Sequence, residues 1–549
     1  MKKKNMPVLV VCLLIFVVAV IGLATHVIIR YLPTKERMDL TEYYGQAAEG
    51  EAALILGTEK LEQRGLISGE QAYLPLTVVN SYLNQRYYWD SENSQILYST
   101  PSETIAFSSS EEPGGEVWVK DGSVYLSIPF IQKFTDIDAY VYQDPARVAI
   151  QYNFSDVNMV NVLKDTYVRF RGGIKSPVLT PVKKGDSLIF MEELEDWTQV
   201  ATKDGYIGYI DKKKISEPET VTEERDFQRE EYTYITMDQP VNMSWHQVTT
   251  QEANAYFADA VQNVSGVNVI SPTWFYLQDT SGNIASIASQ DYVNQAHERG
   301  MEVWGLIDNF TAEVSTTETL SRTSSRRNII SQLMDAALGV GLDGINVDFE
   351  ALTEDVGIHF LQFLRELSIE CHKNGLVLSV DNPVPEDFTS HYDRAEQGRV
   401  VDYVIIMGYD EHYVGSEQAG SVASLPWVEK GVQDTLAEVP AERVINAIPF
   451  YTRLWKTEGG ALTSEAIGMD QAQEVIATYQ VETYWDNEAG QNYGAYENEG
   501  ATYQIWLEDA QSIAEKVKLV PKYGLAGVAQ WKLGFENSSI WQVISDNLQ

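Results

Sequence analysis

Between residues 232 and 549, short apolar runs alternate with amphipathic stretches eight times. The runs fall at 241–245, 267–274, 302–307, 344–349, 377–380, 403–407, 444–448 and 525–530. Between them lie helical patterns such as 327–338, where Ile330, Leu333, Met334, Ala337 and Leu338 recur at the spacing of one helix face, and 358–373. Eight strand–helix alternations in roughly 300 residues predict an α/β fold, a (β/α)8 TIM barrel. The segment 456–503 is too long and irregular for one connection and is expected to be an insertion after the seventh strand.

In such barrels the chemistry sits at the C-terminal ends of the strands. The fourth run reads Gly341-Leu-Asp-Gly-Ile-Asn-Val-Asp-Phe-Glu. Side chains alternate faces along a strand, so Asn346, Asp348 and Glu350 are expected to share the inner face and Ile345, Val347 and Phe349 to meet the helices. Polar groups aimed into a barrel are costly unless partnered, so three in succession mark a candidate active site. Residues two apart on one strand lie roughly 6.6–7 Å apart and project side by side. Asp348 and Glu350 therefore cannot flank a sugar from opposite faces as an acid–nucleophile pair must. Neighbouring carboxylates raise one another's pKa, which favours a protonated Glu350.

The D-G-I-N-V-D-F-E run resembles the signature of family 18 glycoside hydrolases, the chitinase-like family, and the resemblance implies a substrate-assisted, retaining glycosidase. Glu350 would be the general acid and later base, Asp348 would hold the substrate's acetamido N–H, and Tyr409 would donate to the acetamido oxygen. Asn346 stands where chitinases carry a further Asp and is counted among the expected substrate-binding residues; it can hydrogen-bond but cannot share a proton with Asp348. The Asn form is similar to the spore-cortex lytic branch, as are Glu411-His-Tyr and Leu425-Pro-Trp-Val-Glu. Met407-Gly-Tyr-Asp410 and Pro449-Phe-Tyr-Thr-Arg match further family segments, with Thr452 in place of a glycine. They imply that Tyr451 and Arg453 contact substrate and that Asp410 contacts the sugar or the surroundings of Glu350. Trp531 matches the tryptophan under the reacting sugar, where a flat indole covers C–H faces. The family's third-strand motif is replaced by Gly305-Leu-Ile-Asp-Asn-Phe, which leaves Asn309 as a candidate contact. The implied substrate is an N-acetylglucosamine-containing glycan: peptidoglycan first, chitooligosaccharide as the alternative, with a non-catalytic sugar-binding barrel as a third possibility.

At the other end, Lys2, Lys3 and Lys4 precede an uncharged run from residue 5 to 29, which Arg30 ends. Those 25 residues span about 37 Å as a helix, enough for a bilayer core. With no clear cleavage site, residues 1–30 are expected to be a cytoplasmic tail and transmembrane anchor of a single-pass membrane protein. Lysines before the span and Arg30, Lys35 and Arg37 after it leave the orientation open by charge. The family resemblance places the catalytic part outside the cell.

Residues 31–48 are expected to be a linker and 49–156 a stalk-like α+β domain. In that domain Tyr73-Leu-Pro-Leu, Tyr88-Trp-Asp and Val124-Tyr-Leu-Ser-Ile-Pro-Phe resemble the domain first named from the N-terminus of copper amine oxidases. Residues 157–216, with Val182-Lys-Lys-Gly-Asp, Trp197-Thr-Gln-Val and Asp204-Gly-Tyr-Ile-Gly-Tyr-Ile, resemble a bacterial SH3-like β-barrel. Trp197 and Tyr206 could bind a ligand there, although such aromatics more often simply pack, and the domain is a candidate cell-wall contact. Seven of the sixteen residues 216–231 are acidic, so 217–231 is expected to link to the catalytic barrel at 232–549.

Composition removes other classes. The chain carries 40 Lys+Arg against 79 Asp+Glu, a net charge of −39, which opposes nucleic-acid binding. Two cysteines permit neither a disulfide scaffold nor a zinc site built from cysteines alone, and seven histidines show no ligand spacing. No metal or cofactor is expected.

Overall fold

A computed structural model describes residues 6–548. The chain divides into two compact units. One runs to Tyr87 and resumes from Phe107 to Arg229; the other comprises Tyr88–Ala106 and the chain from Glu230 onward.

The second unit is the barrel. Its strands are β1 (Val241–His246), β2 (Val269–Leu277), β3 (Glu302–Asp308), β4 (Gly344–Asp348), β5 (Val377–Pro383), β6 (Tyr403–Met407), β7 (Val444–Pro449) and β8 (Gly527–Trp531). Neighbours pair in parallel all the way round, and β1 closes the ring by pairing with both β2 and β8. Alternation decides the two cores. Val241, Met243, Trp245, Trp304, Leu306, Tyr403, Ile405, Ile445, Ala447 and Ala529 fill the interior. Ile345, Val347 and Phe349 instead join the larger outer core beneath the helices. Gly344 opens β4 because a Cβ there would lie 2.8 Å from both the Trp304 ring and the Val377 carbonyl oxygen. That space lets Trp304 stack on Tyr403 at 5.5 Å.

The insertion after β7 is larger than the sequence pattern marks. It is a five-stranded antiparallel sheet that begins at Tyr451, directly after the strand, and ends at Leu507. The barrel unit also takes in a segment expected to belong to the stalk. Within Tyr88–Ala106, the Tyr88 hydroxyl lies 2.7 Å from His359 Nδ1 and accepts from Arg326 Nη1 at 3.0 Å, and Ser99 Oγ accepts from Gln362 at 3.1 Å. Arg326 is fully buried against Glu366, and the tyrosine oxygen satisfies one of its remaining donors.

In the first unit, Ala53, Ile55 and Ala149 share one core with Val160, Val168, Leu188, Val200 and Ile210 of a seven-stranded antiparallel sheet. Two expected linkers are partly folded. Residues 31–48 contain the helix Leu40–Tyr44, capped by Asp39, and the buried Tyr44 donates to the Gly205 carbonyl at 2.9 Å. Residues 217–231 add the strand Glu219–Val221, and Arg225 bonds Asp136 and Asp138. Tyr206, a candidate surface contact, is buried beside Tyr44 with the Arg147 guanidinium 4.9 Å from its ring; it is core.

The helix Met6–Tyr31 is exposed and apolar along Val10–Val27, long and apolar enough to cross a membrane.

Candidate active site

The barrel's C-terminal mouth gathers three aspartates on adjacent strands. Asp308 stands opposite Asp348 in the β3–β4 register. Val347 stands opposite Val380, so Asp381, the next inward position of β5, is level with Asp348. Asp348 and Asp381 are buried. Burial is the main cause that pushes both well above the usual carboxylate range; at Asp348 repulsion from Asp381, Glu350 and Asp308 adds to it, and at Asp381 the Asn346 hydrogen bond offsets it in part while Glu350 adds. Asp308 is raised mainly by burial, offset in part by the Phe310 N–H it accepts at 3.0 Å. Among the described residues no cation enters these balances.

Asn346 lies one step deeper and is fully buried. Its Oδ1 accepts from Trp245 Nε1 at 2.9 Å and Ser271 Oγ at 3.2 Å. Its Nδ2 donates to Ser379 Oγ at 3.0 Å and Asp381 Oδ1 at 2.9 Å. The amide thus ties four strands together and has no donor left.

Glu350 differs from the strand expectation. β4 ends at Asp348, and Glu350 sits just beyond it, exposed at the mouth. Ala351 and Asp410 have φ of 51° and 63°, a left-handed backbone that costs a non-glycine residue roughly 1–3 kcal/mol and is concentrated at functional sites. Asn309, predicted as a candidate contact, is bound to the Glu350 backbone. Its Oδ1 accepts the Glu350 N–H at 2.9 Å, while its Nδ2 donates to the Glu350 carbonyl at 3.0 Å and to Thr316 at 3.0 Å. It clamps the backbone that carries Glu350. The Glu350 carboxyl is raised, first by desolvation and then by Asp410 and Asp308.

Around these acids, Tyr451 donates to Asp410 Oδ1 at 2.6 Å, and its ring meets Tyr409 edge-on at 6.2 Å. Tyr409 is half-buried, its hydroxyl pushed well up by burial and by Tyr451 and the carboxylates. Trp531 is half-buried at the end of β8 and packs edge-on against Trp245 at 5.9 Å. Arg453 points from the insertion sheet, bonds Ser464 at 3.2 Å and leaves Nε unpartnered among the described residues. Sequence reasoning missed Asp308, Asp381, Ser271 and Trp245. For Asp381 a signal exists: Ser379 and Asp381 alternate inward in the same way as Asn346 and Asp348.

An exposed carboxylic acid over buried acidic neighbours, with tyrosine hydroxyls and an indole face at the rim, is the equipment of an O-glycosyl hydrolase. The family model for glycosyl hydrolases family 18 matches residues 206–536, and the chain belongs to that family. It is similar to an uncharacterized glycosylase, YvbX, of Bacillus subtilis (strain 168): 25% identical over 291 residues, 51% of this chain and 84% of that one. It is 27% identical to the cortical fragment-lytic enzyme of the same strain over 231 residues, 40% of this chain, and so spans about half (53%) of that relative. The solved spore cortex-lytic enzyme SleL of Bacillus megaterium QM B1551 shares the fold, with a TM-score of 0.51 at 21% identity, over 60% of this chain and 79% of that one.

Proposed function

We propose that the chain is a membrane-anchored, retaining glycosidase that hydrolyses N-acetylglucosamine-containing cell-wall glycan, peptidoglycan above all, by substrate assistance. The observation that carries this is the placement of Glu350 and Asp348. They lie two residues apart at the end of β4, Glu350 exposed just beyond the strand and clamped by Asn309, Asp348 buried on it. Such a pair supplies one proton donor and one orienting carboxyl, not the two opposed carboxylates of a protein-nucleophile mechanism. The substrate's own acetamido oxygen then attacks C1, while Glu350 protonates the departing oxygen and later deprotonates water. Tyr409 and Asp348 hold the acetamido group, Asp410, Tyr451 and Arg453 line the approach, and Trp531 supports the reacting sugar. The relation to a cortical fragment-lytic enzyme favours peptidoglycan over chitin. The exposed apolar helix Met6–Tyr31 suits an anchor, with the catalytic part extracytoplasmic, and the seven-stranded module around Trp197 a contact with the wall.

The test is digestion of purified peptidoglycan and of chitooligosaccharides by the full chain, with new reducing ends identified by mass spectrometry across pH. Glu350 must be protonated to start the reaction. Its raised carboxyl therefore places the alkaline limb above the ordinary glutamate value of 4.5, with activity lost as pH rises through the raised value. Sugar binding without new ends at any pH contradicts the proposal.

A further inference from the structure

Two buried oxygens in the site lack partners. Asp348 Oδ1 and Asp381 Oδ2 make no hydrogen bond among the described residues. Two ionised carboxylates can only accept, so neither can satisfy the other, and burying both charges without a cation is prohibitive. Asn346 cannot help: its two amide hydrogens go to Ser379 and to the other oxygen of Asp381. The strands bring the two aspartates level on neighbouring β4 and β5, whose backbones run roughly 4.8 Å apart.

We propose that Asp348 and Asp381 hold a single proton between their two unpartnered oxygens. Asp381 is thereby a positioning residue that does from β5 what Asn346 cannot do from β4. The pair carries one negative charge. When a sugar's acetamido N–H reaches Asp348, the proton passes from Asp348 Oδ1 to Asp381 Oδ2, leaving Asp348 anionic to orient that group and to face the positive charge that develops. No bond other than O–H is made or broken, and no other reactant is needed. The groups facing the pair are Asp308 from β3 and Glu350 beyond β4, which oppose a second negative charge, the Asn346 amide, which donates to Asp381, and Tyr409 after β6, whose hydroxyl is held un-ionised. The functional consequence rests on the glycosidase assignment above; the proton sharing does not.

The test therefore includes a readout independent of turnover. Infrared spectra of the full chain follow the C=O band of protonated carboxyl groups through a pH titration, beside the pH profile of glycan hydrolysis. The spectra are taken as differences, wild type minus Asp381→Asn or Asp348→Asn, so that Glu508, raised to about 7, and Glu350 cancel; in them wild type is expected to show a buried carboxylic-acid band at about pH 7. Asp381→Asn and Asp348→Asn each lower the midpoint of its loss by about one pH unit or more, because the remaining acid no longer faces a like charge. The exchange Asn346→Asp with Asp381→Asn returns a carboxyl to the neighbourhood of Asp348 and restores both midpoint and activity profile. Unchanged midpoints in both single variants, or an exchange that leaves the midpoint at the single-variant value, overturn the shared proton. Should one variant fail to fold, the other is decisive. A wild-type spectrum as expected, without hydrolysis of peptidoglycan or chitooligosaccharide, upholds the pair and overturns the glycosidase assignment instead.

Discussion

Glu350→Gln is expected to lower kcat for glycan hydrolysis by about 10²–10⁴-fold while leaving binding of the same glycan nearly unchanged. Gln keeps the shape of the side chain and its place at the barrel mouth, but it has no proton to give to the leaving oxygen. The backbone clamp from Asn309 uses only main-chain atoms of Glu350, so it survives the exchange. The variant should fold as wild type does, and kcat measured beside a binding isotherm separates the two effects. A variant that still cuts within a few-fold of wild type removes Glu350 from the role of acid.

The second large effect is on stability. Lys516 and Glu508 are both buried, with Lys516 Nζ 2.9 Å from each carboxylate oxygen. Glu508 also accepts from Ser512 at 2.8 Å and from Gln491 at 2.7 Å. Gln491 in turn accepts from Ser421, in the loop that leads from Asp410 to the helix Leu425–Leu436. The pair thus braces the insertion sheet against the loop behind the site. Removing one member of a buried pair strands the other charge and costs about 3–5 kcal/mol. Lys516→Met, which keeps the stem, should lose that much near pH 8 by chemical denaturation. The deficit should shrink at pH 5, and the sign follows from Glu508. Burial raises its carboxyl from 4.5 to about 7 despite the ammonium beside it. A raised acid contributes stability that is present below its unfolded value and lost as pH rises through the folded one. Without Lys516 the folded value climbs further, so at pH 5 the carboxyl is simply protonated. Equal deficits at both pH values contradict the account.

Much of the barrel and of its site is legible in the sequence because both follow from short-range alternation. A period of two along 344–350 separates the inner polar residues from Ile345, Val347 and Phe349 without knowledge of any neighbour. Strand order places Tyr409, Tyr451 and Trp531 at the same rim. What stays hidden depends on partners distant along the chain. That Asn309 makes two bonds to the Glu350 backbone, 41 residues on, cannot be read from its own segment. Asp381 sits in Val-Asp-Asn-Pro, which reads equally as a turn, and only the β4–β5 register brings it beside Asp348. Tyr44 and Tyr88 lie in segments of ordinary polarity. Their places are decided by Gly205 and by Arg326, 161 and 238 residues away. The departure of Asn346 from the family pattern is visible in sequence, whereas the compensating carboxyl on another strand is not.

At the centre of the proposed mechanism, the substrate's acetamido group, not a protein carboxylate or a directly attacking water, takes the place of the leaving group. Proton NMR of the sugar anomer released in the first moments of digestion by the full chain tests this most directly. Substrate assistance predicts retention, with the β-anomer appearing first and the α-anomer only later by mutarotation. An α-anomer formed first means direct inversion by water, a mechanism for which the side-by-side placement of Asp348 and Glu350 leaves no room.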